Sequence, residues 1–119
     1  MKYLLLIYEN EGVTAGLSEA EQGQIFEEYM TYTQDIKKKG QMIAGEALQP
    51  VNTATTVRVK NGKTLTTDGP FAETREQLGG FYMVEAKDLD EAIGLAARIP
   101  ASRTGSIEVR PILPIPVPE

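Results

Sequence analysis

Lys2-Tyr3-Leu4-Leu5-Leu6-Ile7-Tyr8 is the stretch on which the fold turns. Successive side chains of a strand point to opposite faces, so Tyr3, Leu5 and Ile7 share one face and Leu4, Leu6 and Tyr8 the other. Both sets are apolar, which marks an interior strand of a sheet rather than an edge. Residues 81–86 repeat the pattern, with Phe81 and Met83 alternating with Tyr82 and Val84. Two such strands belong at the centre of a sheet, and both of its faces need cover.

Working outward, Ser18-Glu19-Ala20-Glu21 has the form of a capping box, in which Ser18 accepts from the amide of Glu21 and Glu21 reaches back. The helix that follows has Ile25, Tyr29, Tyr32 and Ile36 on one stripe, widened by Phe26 and Met30. Acids at its start and Lys37, Lys38 and Lys39 at its end suit the helix dipole, and Gly40 is the stop. The segment through Gly12 and Gly16 reads as a loop. Asp88-Leu89-Asp90-Glu91 repeats the capping logic for a second helix over residues 89–99, with Leu89, Ala92, Ile93 and Ala96 as its buried stripe and Pro100 ending it. Residues 41–48 and 107–110 read as further strands. Residues 55–60 and 63–67 flank Asn61-Gly62, a pair favoured where both central turn residues need positive φ, so a tight, polar, exposed hairpin is predicted. The connection from Asp68 to Gly80 is too long for a turn. Within it residues 73–78 read as a short helical segment, and Gly79-Gly80 as a tight backbone approach to the next strand. From Pro111 onward prolines alternate with Ile112, Leu113, Ile115 and Val117, a proline-rich tail over residues 111–119 that cannot pair as an inner strand and reads as an extended arm.

With the hairpin set aside as an insertion, the order is strand, helix, strand, strand, helix, strand. That suits an α+β fold with a ferredoxin-like βαββαβ antiparallel sheet and two helices on one face. The second face stays bare. At about 25 cal/mol per Å² of apolar surface, leaving its side chains in water forfeits several kcal/mol, comparable with the stability of a whole domain. A face-to-face homodimer of the dimeric α+β barrel type, with a cleft between or beside the sheets, is the expected remedy.

Composition narrows the chemistry. A chain of 119 residues supports one domain, residues 1–119, and hydrophobic and charged fractions of 41% and 24% are ordinary for a folded protein. No apolar run approaches the roughly 20 residues that span a bilayer, and no basic-then-apolar signal segment opens the chain. A cytoplasmic protein without membrane partners is expected. There is no cysteine and no histidine, so the thiol nucleophile, the disulfide, the commonest general base and the commonest metal ligand are all missing. Twelve Lys and Arg against 17 Asp and Glu give a net charge of -5, which is no footprint for phosphate backbones, so nucleic acid is not an expected partner. No loop has the ligand spacing of a recognised hard-cation site, and neither a bound metal nor a cofactor is expected.

The stretch Thr67-Asp68-Gly69-Pro70-Phe71-Ala72-Glu73-Thr74-Arg75-Glu76-Gln77-Leu78-Gly79-Gly80-Phe81-Tyr82 resembles the signature of the DGPF branch of the YCII-related family. Residues 2–8, Gly45-Glu46-Ala47-Leu48, Asp88-Leu89-Asp90-Glu91-Ala92 and Arg98-Ile99-Pro100 are similar to that family as well, so the resemblance covers nearly the whole chain. It implies a ferredoxin-like α+β fold that pairs into dimers. Some relatives in the wider family act on small molecules by acid-base elimination with a histidine and aspartate pair, and this chain has no histidine to supply that dyad. Members of the branch are often encoded beside extracytoplasmic-function sigma factors, which implies a regulatory setting and a regulatory protein partner.

Candidate site residues follow from residue chemistry. Asp68, at a strand end beside Gly69 and Pro70, either caps the turn through nearby amides or is held against an apolar cleft where burial raises its pKa. Glu46, between Gly45 and Ala47, is costly if it faces inward unless it is paired or used, and otherwise faces solvent. If the two converge in one cleft, they form an acid and base pair in distinct environments. Tyr8 and Tyr82 are placed to lend hydroxyls to such a site or to serve as core tyrosines with a wet edge. Phe71 reads as a hydrophobic anchor of its loop, with Leu78 its counterpart, or else as a ring stacked on a ligand. Glu73, Arg75 and Glu76 offer a carboxylate pair and a guanidinium fork for an anionic ligand, or are simply solvated charges. Two functions emerge. One is a dimer whose cleft binds a small molecule and moves protons in lyase- or isomerase-like chemistry; the other is a non-catalytic ligand sensor or protein-interaction module.

Overall fold

A computed structural model describes residues 1–118. The chain runs β1 (Lys2–Glu9), α1 (Glu11–Ala15), α2 (Glu19–Lys38), β2 (Met42–Ala47), a 3-10 turn (Val51–Thr53), β3 (Thr55–Lys60), β4 (Lys63–Asp68), β5 (Gln77–Glu85), α3 (Leu89–Ala97), a second 3-10 turn (Pro100–Arg103) and β6 (Ser106–Pro111). The fold is α+β. The main sheet has the order β2-β5-β1-β6 with every pair antiparallel, and β3 and β4 form a two-stranded sheet of their own. The two strands with apolar residues on both faces, β1 and β5, are its central pair.

Register assigns the faces. Tyr3 lies opposite Val84 and Leu5 opposite Tyr82, while Leu4 lies opposite Met83 and Leu6 opposite Phe81. Tyr3, Leu5, Ile7, Tyr82 and Val84 are buried in one core with Tyr32 and Ile36 of α2 and with Ala92, Leu95, Ala96 and Ile99. Leu4, Leu6, Phe81 and Met83, on the other face, stay partly exposed.

Local chemistry sets the helix ends. At α2 the capping box is complete, Glu21 N–H donating to Ser18 Oγ at 3.2 Å and Ser18 N–H to Glu21 Oε1 at 3.2 Å, and Gly40 takes φ +71° just past the end. At α3 the Asp88 carboxylate accepts from Glu91 N–H at 2.9 Å. Its buried residues are Ala92, Leu95 and Ala96, joined just past the helix end by Ile99; Leu89 and Ile93, expected inside, are about half exposed, Leu89 as the first residue of the helix and Ile93 on the side turned away from Leu95. Arg98 joins α3 to α2 by pairing with Asp35 and lying 5.4 Å over the Tyr32 ring. Hydrogen bonds from Arg98 and Lys39 hold the Asp35 carboxyl below its ordinary range.

Three segments depart from the sequence reading. The stretch through Gly12 is the short helix α1, started by Asn10, whose side chain accepts from Val13 N–H at 3.1 Å. Residues 73–78 form no helix: residues 71–76 are irregular and β5 begins at Gln77. Gly79 and Gly80 therefore lie inside a strand, at the register shift where Ile7 faces Gly80 and Tyr8 faces Leu78. The hairpin matches its prediction, with Asn61 at φ 53° and Gly62 at φ 75°. Its base is held by Gly69 N–H to Ala54 O at 2.7 Å and Thr56 Oγ1 to Gly69 O at 2.8 Å. Among the described residues no helix is long and apolar enough to cross a membrane.

Candidate functional site

The first half of α2 has an apolar stripe with little beneath it. Tyr32 and Ile36 reach the core, but Phe26 is 65% and Met30 44% exposed. The reason lies in the sheet below. Gly45 pairs with Tyr82, and Gly80 pairs with Ile7 on one side and Ala47 on the other, so both glycines face the helix. A Cβ on Gly45 would meet Met42 and Tyr82 at 2.9 Å, and one on Gly80 would meet the Glu46 carbonyl at 2.8 Å. No side chain rises from these positions, and a cleft of about 430 Å³ remains under Phe26, Tyr29, Met30 and Thr33.

Polar groups edge this apolar cleft. Thr33 Oγ1 and Tyr82 Oη share a hydrogen bond of 2.7 Å, and the Tyr82 ring meets Tyr32 edge-on at 5.2 Å between centroids and 75° between planes. Tyr29 and Glu9 also line it, and Glu9 accepts from Thr104 Oγ1 at 3.3 Å. Burial pushes the phenols of Tyr29 and Tyr82 above their ordinary value, Tyr29 further by the charge of Glu9. At neutral pH both are uncharged hydrogen-bond donors rather than bases. Glu9 shares the pleat side of Ile7 one strand period on and brings a carboxylate to the helix side of the sheet.

A second, larger cleft of about 970 Å³ lies at the other side of the sheet end, between residues 48–56, the loop after β4 and the pair Tyr8 and Leu78. Glu11 braces its floor, accepting from Val51 N–H at 3.1 Å while its own N–H donates to Gln77 Oε1 at 2.9 Å.

The residues singled out in the sequence divide between these places. Tyr82 and Glu46 line the first cleft, and Tyr8, Phe71 and Glu73 the second. Asp68 and Arg75 line neither and are exposed. The convergence of Asp68 with Glu46 is thus not found. Glu46 is the register partner of Phe81, which puts its side chain on the open sheet face and its backbone toward the first cleft. Asp68 ends β4 opposite Thr55, and among the described residues its carboxylate accepts no hydrogen bond, so it does not cap the turn; Gly69, at φ +99°, makes the turn itself. Phe71 is no buried anchor, being 80% exposed on the rim of the second cleft. Glu76 accepts from Ser106 Oγ at 2.7 Å. Among the described residues no group of three His, Cys, Asp or Glu side chains is placed to hold a metal ion.

Sequence reasoning missed Glu9, Tyr29 and Thr33 as cleft residues, and took Phe26 and Met30 as core. The available signal was an apolar stripe on α2 wider than two helical turns need, set against strands that each contain a glycine.

The family model of the YCII-related domain matches residues 1–116 of the chain. The chain is also similar to an uncharacterized protein of Rhizobium meliloti (strain 1021), 37% identical over 114 residues that cover 94% of this chain and 92% of that protein.

Proposed function

This chain belongs to the YCII-related family, and on that premise we propose that it binds a small molecule in the cleft between α2 and the sheet. The carrying observation is that Gly45 and Gly80 of the sheet and the exposed apolar side chains of Phe26 and Met30 on α2 line one cleft of about 430 Å³. That volume suits a compact metabolite. The walls are mainly apolar, and the Tyr29 and Tyr82 hydroxyls are neutral donors, so the ligand is a largely apolar molecule ending in a carbonyl or a similar acceptor. The group in position to accept a proton from it is Glu9, which in this reading takes the role the sequence suggested for Glu46 and Asp68. Lyase- or isomerase-like proton transfer needs no more than a positioned base and donors to a developing oxyanion.

The strand order β2-β5-β1-β6 supports a ferredoxin-like description of the sheet. The partly exposed Leu4, Leu6, Phe81 and Met83 support a homodimer closed over the second face, the dimeric α+β barrel arrangement. The competing reading, an interaction module for a regulatory protein, is favoured by the projecting hairpin, on which Val57 and Val59 are exposed.

A thermal-shift screen of small carbonyl compounds separates the two. A ligand at 100 times its dissociation constant adds about 2.7 kcal/mol, a shift on the order of 10 °C for a domain of this size. Ala47→Phe, at an exposed position lining the cleft mouth, is expected to remove the shift while leaving the unliganded melting temperature near wild type. Hits unaffected by Ala47→Phe, or no hit at all, count against the cleft and for the hairpin.

A further inference from the structure

The tail and the second cleft each leave apolar surface in water, and within one chain the fold points the tail away from the cleft. Leu113, Ile115 and Val117 are 78%, 73% and 86% exposed, as is Phe71, at 80%, on the cleft rim. Along β6, Ser106 lies opposite Tyr8 and Pro111 opposite Tyr3, and Ile112 N–H then donates to Lys2 O at 2.9 Å. The tail therefore departs at the Lys2 end of β1, heading away from Tyr8. The second cleft sits at the Tyr8 end, about 17 Å back along the strand. Prolines at 111, 114, 116 and 118 fix φ and favour a stiff extended helix of about 3.1 Å per residue, which resists the reversal that a return path requires.

We infer that the cleft is the docking groove for the proline-rich tail of a second copy of this chain. This inference rests on the face-to-face dimer proposed above. Tyr8 and Leu78 place the groove at the end of the same sheet face as Leu4 and Leu6. A two-fold axis lying across β1 sets the Lys2 end of one copy over the Tyr8 end of the other, so each tail leaves its own chain beside the other's groove and two equivalent contacts form.

The lining fits this occupant. Extended proline-rich segments carry no internal hydrogen bonds and are recognised by aromatic walls with hydroxyl donors to their free carbonyls. Here the walls include the rings of Tyr8 and Phe71, and among the described residues the hydroxyls of Tyr8 and Thr55 make no hydrogen bond. At about 970 Å³ the groove is near the upper limit for small-molecule pockets, roomy enough for a length of chain. The exposed ring of Phe71 gains cover only when the groove is filled.

The chain has no cysteine, so introduced thiols report without interference. In full-length protein carrying both Ala72→Cys and Ile115→Cys, mild oxidation is expected to give a covalent dimer on non-reducing gels. Each single variant is expected to stay uncrosslinked. Docking raises the effective thiol concentration to the order of millimolar, so the double variant should cross-link about 100-fold faster than either single variant at about 10 μM protein. A disulfide that leaves the protein monomer-sized would overturn the inference, since the tail would then reach its own groove. So would equal cross-linking by a single variant, or no cross-link in a protein that light scattering finds dimeric. A wild-type monomer by light scattering would overturn the dimer and the tail exchange together.

Discussion

Tyr82 ties the candidate cleft to the core through one hydroxyl, and its environment fixes a pH dependence. Burial raises its pKa, and those of Tyr29 and Tyr32 in the same cluster, above the ordinary value. Between the unfolded value, about 10, and the raised folded value the native state holds more protons than the unfolded chain. Stability is therefore complete below pH 10, on the order of the unfolded tyrosine pKa, and falls as pH rises further. Urea denaturation is expected to show that decline, and Tyr82→Phe to make it shallower; an unchanged slope in Tyr82→Phe would refute the assignment. The glycines give a second residue-scale prediction. Gly80→Ala sets a Cβ against the Glu46 carbonyl and should cost about 1–3 kcal/mol. Gly94→Ala, which meets nothing within 4 Å on α3, should instead stabilise by about 0.5–1 kcal/mol. Both glycines of the cleft were visible in the sequence, but their facing was not, because it depends on the register of β5 against β2 and β1. Glu9 was hidden because the sequence reading ended the first strand at Tyr8, whereas β1 runs on to Glu9 and brings it to the cleft.

Elements were legible where their signals are local. The box at Ser18 and Glu21, the stop at Gly40 and the turn at Asn61-Gly62 each need partners within a few residues, and all three formed as read. Ser18→Ala should cost about 1 kcal/mol, read as a lower urea midpoint with unchanged m-value; a midpoint equal to wild type would mean that the helix end is held by packing alone. Elements decided at long range were not legible. Glu11 and Gln77 meet across 66 positions, and this bond, with the pairing of Gln77 to Glu9, holds residues 77–80 in β5 where a short helical segment over residues 73–78 had been expected. The anchor reading of Phe71 failed for a related reason: an aromatic ring in a loop is usually buried, and this one lies 80% exposed on the rim of a cleft assembled from residues distant in sequence.

At the scale of the molecule the surplus of exposed apolar surface becomes a prediction about assembly. The radius of gyration, 16.6 Å, exceeds the roughly 13.5 Å expected of a compact chain of this length, as projecting parts require. The core accounts for one face of the sheet only. On the other, Leu6 lies between Phe81 of β5 and Glu108 of β6, at the centre of the face assigned to the dimer. A charge there is cheap for the monomer, since the position borders solvent, but in a dimer it would be desolvated opposite an apolar surface, at a cost of several kcal/mol. Leu6→Glu also sets like charges across the strand pair at Glu108, a penalty the monomer relieves by solvation. The wild type is therefore expected to scatter light as twice 13.0 kDa, and Leu6→Glu as the single chain, with its far-ultraviolet circular dichroism unchanged. A wild-type mass of 13.0 kDa at micromolar concentration would leave the second face without its partner and remove the dimer. A dimeric Leu6→Glu would move the interface elsewhere, to another exposed apolar surface such as the hairpin at Val57 and Val59 or the tail at Leu113, Ile115 and Val117.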